Sequence, residues 1–288
     1  MYVGRFAPSP TGPLHLGSLL TALSSYLFAR SAGGEWLLRI EDIDPPREPP
    51  DAALAILDSL QAHGLEHSRP VLWQSTRGSA YAAAVQQLLA TGQAFHCTCS
   101  RQDLAAGQHA GRCPRSIHPP SEPAAVRVRS AGGSISFDDG ILGRVTIPAG
   151  EDSFVVQRKD GLYAYHLAVV VDDAFQEVSD IVRGRDLLDS TPCHLRLQEL
   201  LDLPRPQYAH LPLLLNDDGH KLSKQTHATA LDPDRAESNL RRCLRALGQE
   251  LPPDEAGLGV AGLLDFAAAR WDSTRIPRND IPEATLPF

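Results

Sequence analysis

RFAPSPTGPLHLGS, running from Arg5 to Ser18, decides how the rest of this chain is read. Tyr2–Phe6 has the make-up of a short strand, and Pro8, Pro10, Gly12 and Pro13 supply the turn after it. From Leu14 to Arg30 the residues Leu16, Leu19, Leu20, Leu23, Tyr26 and Leu27 recur at helical spacing, and Gly33-Gly34 stops the helix. A strand, a tight turn and a helix make an anion site. The first N–H groups of a helix have no intrahelical acceptor, and the positive end of the helix dipole favours negative charge. His15, Gly17 and Ser18 stand at that helix start, with Arg5 and Ser9 just ahead.

A second stretch answers the first. HKLSKQ, His220 to Gln225, follows the turn signal Asn216-Asp217-Asp218-Gly219 and reads as a loop. Of 27 basic residues only Lys159, Lys221 and Lys224 are lysine, and two of the three lie here. An ammonium on a flexible stem can follow a moving phosphate, whereas a guanidinium is a planar fork. Together the stretches predict a cleft for the phosphates of ATP, with His15 donating a hydrogen bond to a phosphate oxygen as charge builds during displacement.

Working outward, the first hundred residues alternate strand and helix: a strand at Trp36–Ile40, then helices at Asp51–His63 and Ser75–Thr91. That order implies a parallel sheet with right-handed crossovers. From about residue 95 to 165 the rhythm breaks into short β-type runs at Ala125–Arg129, Ile135–Phe137, Val145–Ile147 and Phe154–Arg158, which read as an inserted α+β module. The α/β rhythm resumes with Ala164–Val171, read as an apolar strand, then Asp180–Arg183, a helix at Thr191–Leu201 and a strand at His210–Leu215. The tail after Pro233 is helical and short.

Composition narrows the class. No run of eighteen apolar residues exists, and MYVGRFAPSP lacks the basic-then-apolar pattern of a secretory peptide, so a cytoplasmic protein with no membrane span is expected. A net charge of −8 argues against nonspecific duplex binding, though local basic groups (Arg127 with Arg129, Arg158 with Lys159, Arg241 with Arg242 and Arg245) leave RNA open. Cys193 and Cys243 lie on apolar-periodic helices and read as small core residues.

Cys97-x-Cys99…His109-x3-Cys113 places four soft ligands within seventeen residues. Three thiolates and an imidazole suit a tetrahedral structural Zn²⁺, one per chain, in a module too small for a large core. The strand Leu37–Ile40 ends in Glu41, Asp42 and Asp44, at the carboxyl edge where α/β sheets bind ligands. Glu41 faces the opposite way to Asp42, and Asp44 reads equally as a turn cap. No Ser-His-Asp arrangement, Gly-x-Ser-x-Gly elbow, P-loop or dinucleotide fingerprint is present, so the chemistry implied is positioning and charge stabilisation.

These motifs resemble those of class I aminoacyl-tRNA synthetases. HLGS at His15–Ser18 is similar to their HIGH motif, and KLSKQ at Lys221–Gln225 to KMSKS, with Leu222 and Gln225 as departures. RFAPSPTG, RIEDID and IVRGRDLLDST resemble glutamyl-tRNA synthetases, over roughly residues 2 to 230. A full glutamyl enzyme would continue into a large helical anticodon-binding region, where roughly fifty residues remain here. That difference, with IEDIDPPRE, AYHLAVVVDD and the cysteine cluster, resembles the glutamyl-Q tRNA(Asp) synthetase family.

The resemblance implies an α/β, class I synthetase-type Rossmann-like parallel sheet with an inserted zinc-containing α+β module and a short helical C-terminal part. Its expected divisions are 1–94 and 166–232 for the two halves of the nucleotide-binding domain, 95–165 for the insert and 233–288 for the C-terminal region. It implies that Arg5, Ala7, Ser9, Glu41, Tyr165 and Arg183 line a glutamate site, Glu41 holding the amino group. His15 and Lys224 become the catalytic pair, and ATP, with its Mg²⁺, is bound by His15, Gly17, Ser18, Lys221 and Lys224. Cys97, Cys99 and Cys113 match the family's zinc cysteines, with His109 where the family often has tyrosine. The implied activity is adenylation of L-glutamate and its transfer to queuosine in the anticodon stem-loop of tRNA(Asp), by a monomer. Charging of tRNA(Glu) at its 3′ end, or a non-catalytic RNA-binding paralogue, are the competing expectations. A dicarboxylic substrate needs an arginine fork, and Arg5 and Arg183 are both candidates.

Overall fold

The computed structural model of the protein describes residues 1–105, 115–150, 153–222, 229–253 and 257–286. Its first elements are β1 (Val3–Phe6), α1 (Leu16–Ser31), β2 (Glu35–Ile40), α2 (Ala52–Ala62), β3 (Leu72–Trp73) and α3 (Gly78–Ala90). Next come β4 (Ala94–Cys97), α4 (Arg101–Ala105), β5 (Ala125–Arg129), β6 (Ser134–Asp139), β7 (Gly143–Pro148) and β8 (Ser153–Gln157). The chain continues through α5 (Tyr165–Phe175), β9 (Asp180–Gly184), α6 (Thr191–Leu201), β10 (Gln207–Leu211) and β11 (Leu214–Leu215). It finishes with α7 (Ala236–Ala246), α8 (Gly259–Ala269) and β12 (Ile281–Pro282).

Among the described residues the main sheet has seven strands in the order β3-β2-β1-β9-β10-β6-β7. All neighbours are parallel except the β6–β7 hairpin. Strand order turns outward in both directions from β1 and β9, so a crevice opens at their carboxyl ends, where such sheets bind ligands. Period-two alternation sorts the side chains. Phe6, Trp36, Leu38, Ile40, Val182, Ala209 and Leu211 pack under α1, α7 and α8 in one continuous core. The opposite face carries Arg5, Arg39, Glu41, Arg183 and His210, all buried.

The segment from 95 to 165 is divided in two. β4, β5 and β8 form a separate antiparallel sheet in the order β4-β5-β8. The β6–β7 hairpin instead joins the main sheet through Tyr208 opposite Asp139. Its apolar side (Ile135, Phe137, Val145, Ile147) needs a surface, and Tyr208 and its neighbours supply one.

Two expected strands are corrected. Ala164–Val171 belongs to α5, a helix that buries Leu167, Ala168, Val169, Val170, Asp172 and Asp173. An apolar run buried on most sides does not distinguish helix from strand by periodicity, and packing against α3 and α6 overrides the β-propensity of three consecutive valines. The strand expected at His210–Leu215 is interrupted: β10 ends at Leu211, and β11 pairs with β12. Pro212 has no N–H to continue the ladder. Among the described residues no helix is long and apolar enough to cross a membrane.

Candidate active site

A cleft of ≈ 570 Å³ lies at the carboxyl ends of β1, β2 and β9, open towards the segment around Lys221. Arg5, Ala7, Ser9, His15, Gly17, Ser18, Glu41, Tyr165, Arg183 and Lys221 all line it. Lys224 lies outside the described residues.

His15 is the N-cap of α1. Its Nδ1 accepts from the Ser18 backbone N–H at 3.3 Å, while Ser18 Oγ accepts from the His15 backbone N–H at 2.9 Å, a reciprocal capping box. With Nδ1 an acceptor, the neutral ring carries its proton on Nε2. The Ser18 side chain thus helps to hold His15 at the helix start. At Gly17 an added Cβ would stand 3.2 Å from the imidazole, so a side chain there would push the ring away. Lys221 pairs with Asp186 across the cleft. Gly184 makes room for that carboxylate, since a Cβ there would meet Asp186 Oδ1 at 2.5 Å.

On the other side lies a buried ionic cluster. Asp173 Oδ1, on α5, accepts from Arg5 Nε at 3.1 Å and Arg39 Nη1 at 2.8 Å, and Arg39 Nη2 reaches Glu41 at 3.5 Å. Burial works to raise the Asp173 carboxyl, but Arg5 and Arg39 prevail and hold it below the usual range. Burial pushes Glu41 up against the pull of Arg39 and Arg5. It pushes the Tyr165 hydroxyl up to about 12, so that group is a neutral donor.

Arg183 is different. It is 3% exposed, and its hydrogen-bond partners are His210, His194, Tyr165 and Thr191, none of them a carboxylate. A buried guanidinium held by neutral acceptors beside an open cleft is a seat for an anion.

Asp173, Arg39, His194 and His210 escaped the sequence reading. Arg39 carried a signal: it shares the face of Glu41 at a spacing of two in an otherwise apolar strand. Asp173 was hidden by the misassigned helix, and the histidines by their distance along the chain.

At the rim, Asp44 precedes a short 3-10 turn without capping it, its carboxylate being held by Arg47 and by Arg158 Nη1 at 3.0 Å as an ion-pair partner. Lys159 Nζ donates to the Thr98 carbonyl at 2.6 Å, between the two cysteines of the C-x-C pair. Cys97 is buried and Cys99 half-buried, and His96 bridges to Ser116 where the chain returns. His109 and Cys113 lie outside the described residues, and among the described residues no group of three or more potential metal ligands is assembled. Cys243 is buried as expected, Cys193 half-buried. Two expected basic groups are not surface features: Arg127 is buried against Ser153, and Arg241 against Glu237 and Pro252.

The profile of the class I tRNA synthetases (E and Q), catalytic domain, matches residues 2–245. The glutamyl-Q tRNA(Asp) synthetase of Pseudomonas aeruginosa is 51% identical over 290 residues, covering 99% of this chain and 97% of that protein. The chain belongs to the glutamyl-Q tRNA(Asp) synthetase family. The protein of the same name from Pseudomonas fluorescens is 48% identical over 290 residues, covering 99% of this chain and 97% of that one. The crystal structure of a glutamate tRNA ligase from Elizabethkingia meningosepticum, in complex with its amino acid, superposes with a TM-score of 0.80 at 26% identity. It is matched by 98% of this chain, which spans 66% of that ligase.

Proposed function

We propose that this protein activates L-glutamate with ATP and transfers the glutamyl group to the queuosine base at the wobble position of tRNA(Asp). One observation supports it most: a buried arginine without a carboxylate partner opens into the same cleft as a histidine-capped helix start. In this reading a glutamate carboxylate oxygen attacks the α-phosphorus of ATP, pyrophosphate leaves, and a hydroxyl of queuosine then takes the acyl group as AMP departs. Arg5 and Arg183 receive the substrate carboxylates, Glu41 its ammonium group, and Tyr165, Ala7 and Ser9 the walls. His15 donates from Nε2 to a phosphate oxygen, a preorganised contact of the kind worth about 3 kcal/mol in a barrier. Gly17 lets the phosphates approach, and Lys221 and Lys224 steady the departing pyrophosphate. Mg²⁺ arrives with the nucleotide, whose phosphates supply most of its coordination.

Residues 1–94 and 166–232 serve as the two halves of the nucleotide-binding domain, with 95–165 inserted and 233–288 closing the core, in a monomer that meets the anticodon stem-loop. The donor set fits a structural Zn²⁺: Cys97 and Cys99 end a strand whose neighbour His96 is bridged to Ser116, so the segment with His109 and Cys113 leaves and returns at one place. Elemental analysis of gently purified protein should find one zinc per chain, and none would remove that assignment.

Labelled glutamate and ATP, incubated with queuosine-containing and queuosine-lacking tRNA(Asp) and with tRNA(Glu), test the main reading. Transfer only to the queuosine form is expected. Transfer to tRNA(Glu) instead, or no pyrophosphate exchange with glutamate, overturns it.

A further inference from the structure

Arg183 sits in the middle of a chain of hydrogen bonds that runs from Asp139 on β6, through β10 and β9, to the helices α6 and α5. Its Nε meets His210 Nε2 at 3.1 Å, and His210 Nδ1 meets Asp139 Oδ2 at 2.6 Å. Its Nη1 meets His194 Nδ1 at 3.1 Å, and His194 Nε2 meets His166 Nδ1 at 3.2 Å. His194, His210 and Asp139 are each no more than 5% exposed.

The direction of every bond follows from one fact: a guanidinium can only donate. His210 Nε2 and His194 Nδ1 must therefore accept, which places the protons of the neutral rings on His210 Nδ1 and His194 Nε2. Those protons are donated onward, to Asp139 and to His166. Asp139 is itself fixed, because its Oδ1 accepts from the backbone N–H groups of Ile141 and Leu142 at 3.0 and 2.9 Å. A protonated ring at either position would lose its acceptor and set a second positive charge against Arg183.

We propose that His194 and His210, the latter oriented by Asp139 of the β6–β7 hairpin, are positioning residues that aim the Arg183 guanidinium at the substrate carboxylate while leaving its charge uncompensated. Neutral acceptors at Nε, Nη1 and Nη2 fix the direction of the fork, and unlike a carboxylate they leave the positive charge to the ligand. Arg5 shares the Asp173 carboxylate with Arg39, so less of its charge is left for a second substrate carboxylate. The inference rests on the reading of this cleft as a glutamate site, and it explains why a hairpin inserted far along the chain is docked on the main sheet: it delivers the Asp139 carboxylate to the ring behind Arg183.

The test has one arm that needs no substrate. Long-range ¹H–¹⁵N spectra of the whole protein at pH 7, with assignments from the variants, should show His210 as the Nδ1–H and His194 as the Nε2–H tautomer. The opposite tautomer, or a doubly protonated ring, at either position overturns the proposal whatever the enzyme acts on. In glutamate-dependent pyrophosphate exchange, His194→Leu and His210→Leu should each raise the KM for glutamate about tenfold or more, with the KM for ATP unchanged. His194→Asn and His210→Gln, which restore an acceptor near Nδ1 and Nε2 respectively, should recover most of that loss. An unchanged glutamate KM in both leucine variants, or amide variants no better than leucine, sinks the relay. Wild-type protein that fails to exchange pyrophosphate with glutamate would instead count against the functional reading, with the tautomers still deciding the relay.

Discussion

Glu41 is the carboxylate proposed to take the substrate ammonium. Among the described residues its carboxylate accepts one hydrogen bond, from Arg39, which is long at 3.5 Å. Glu41→Gln keeps the shape and should raise the KM for glutamate at least tenfold, about 1.4 kcal/mol of binding, with the KM for ATP unmoved in the same exchange assay. The imidazoles behind the cleft make a pH prediction. Burial, then the Arg183 charge, pushes His166 down to about 4 from an ordinary 6.5, and the same causes hold His194 well below its ordinary value. Groups facing His166 are Arg183, His194 and Tyr165; those facing His194 are Arg183, His166, Arg5, His210 and Tyr165. Below the ordinary value the unfolded chain binds protons that the folded protein refuses, so stability is full above pH 6.5 and declines as pH falls towards 4. Thermal midpoints measured down this range should drop, and His166→Gln should flatten part of the slope. At this scale the sequence was legible where a motif held the residue: Arg5, His15, Glu41 and Arg183 were readable, and all line one cleft. Asp139 and the histidines were not, because they act through another side chain and belong to no local pattern.

α5 shows what one helix contributes. Its Asp173 is the shared counter-ion of two buried arginines from two strands, and its Asp172 accepts from Gln74, Arg77 and Tyr81, tying the helix to α3 and the turn before it. Asp173→Ala would take away the carboxylate that pairs with Arg5 and leave buried Arg39 with Gln176 and a long contact to Glu41. Removing one partner of a buried pair costs about 3–5 kcal/mol, so the urea midpoint should fall sharply, and an unshifted curve would contradict this account. Alternation did foretell which strand residues share a face. It misled for α5, because Leu167–Val170 is an unbroken buried run and offers no period to read. The break at Pro212 was legible in principle, since a residue without an N–H cannot sit inside a central ladder.

Across the whole molecule, the main sheet and its helices were foreseeable from the strand-turn-helix opening, whereas the partition of the insert was not: nothing local says which strand a hairpin will pair with. The short turn after β8 then acquires a particular meaning. Consecutive residues Arg158 and Lys159 grip two different loops, the acidic one at the cleft rim and the one carrying Cys97 and Cys99. Arg47, the other partner of Asp44, lines the cleft. Lys159→Ala should therefore speed the loss of the proposed zinc to a chelator while the KM for glutamate stays put, and Arg158→Ala should do the reverse, both read on the same preparations. Neighbouring side chains thus fasten one turn to both loops, so neither loop can shift without tugging at the other's anchor.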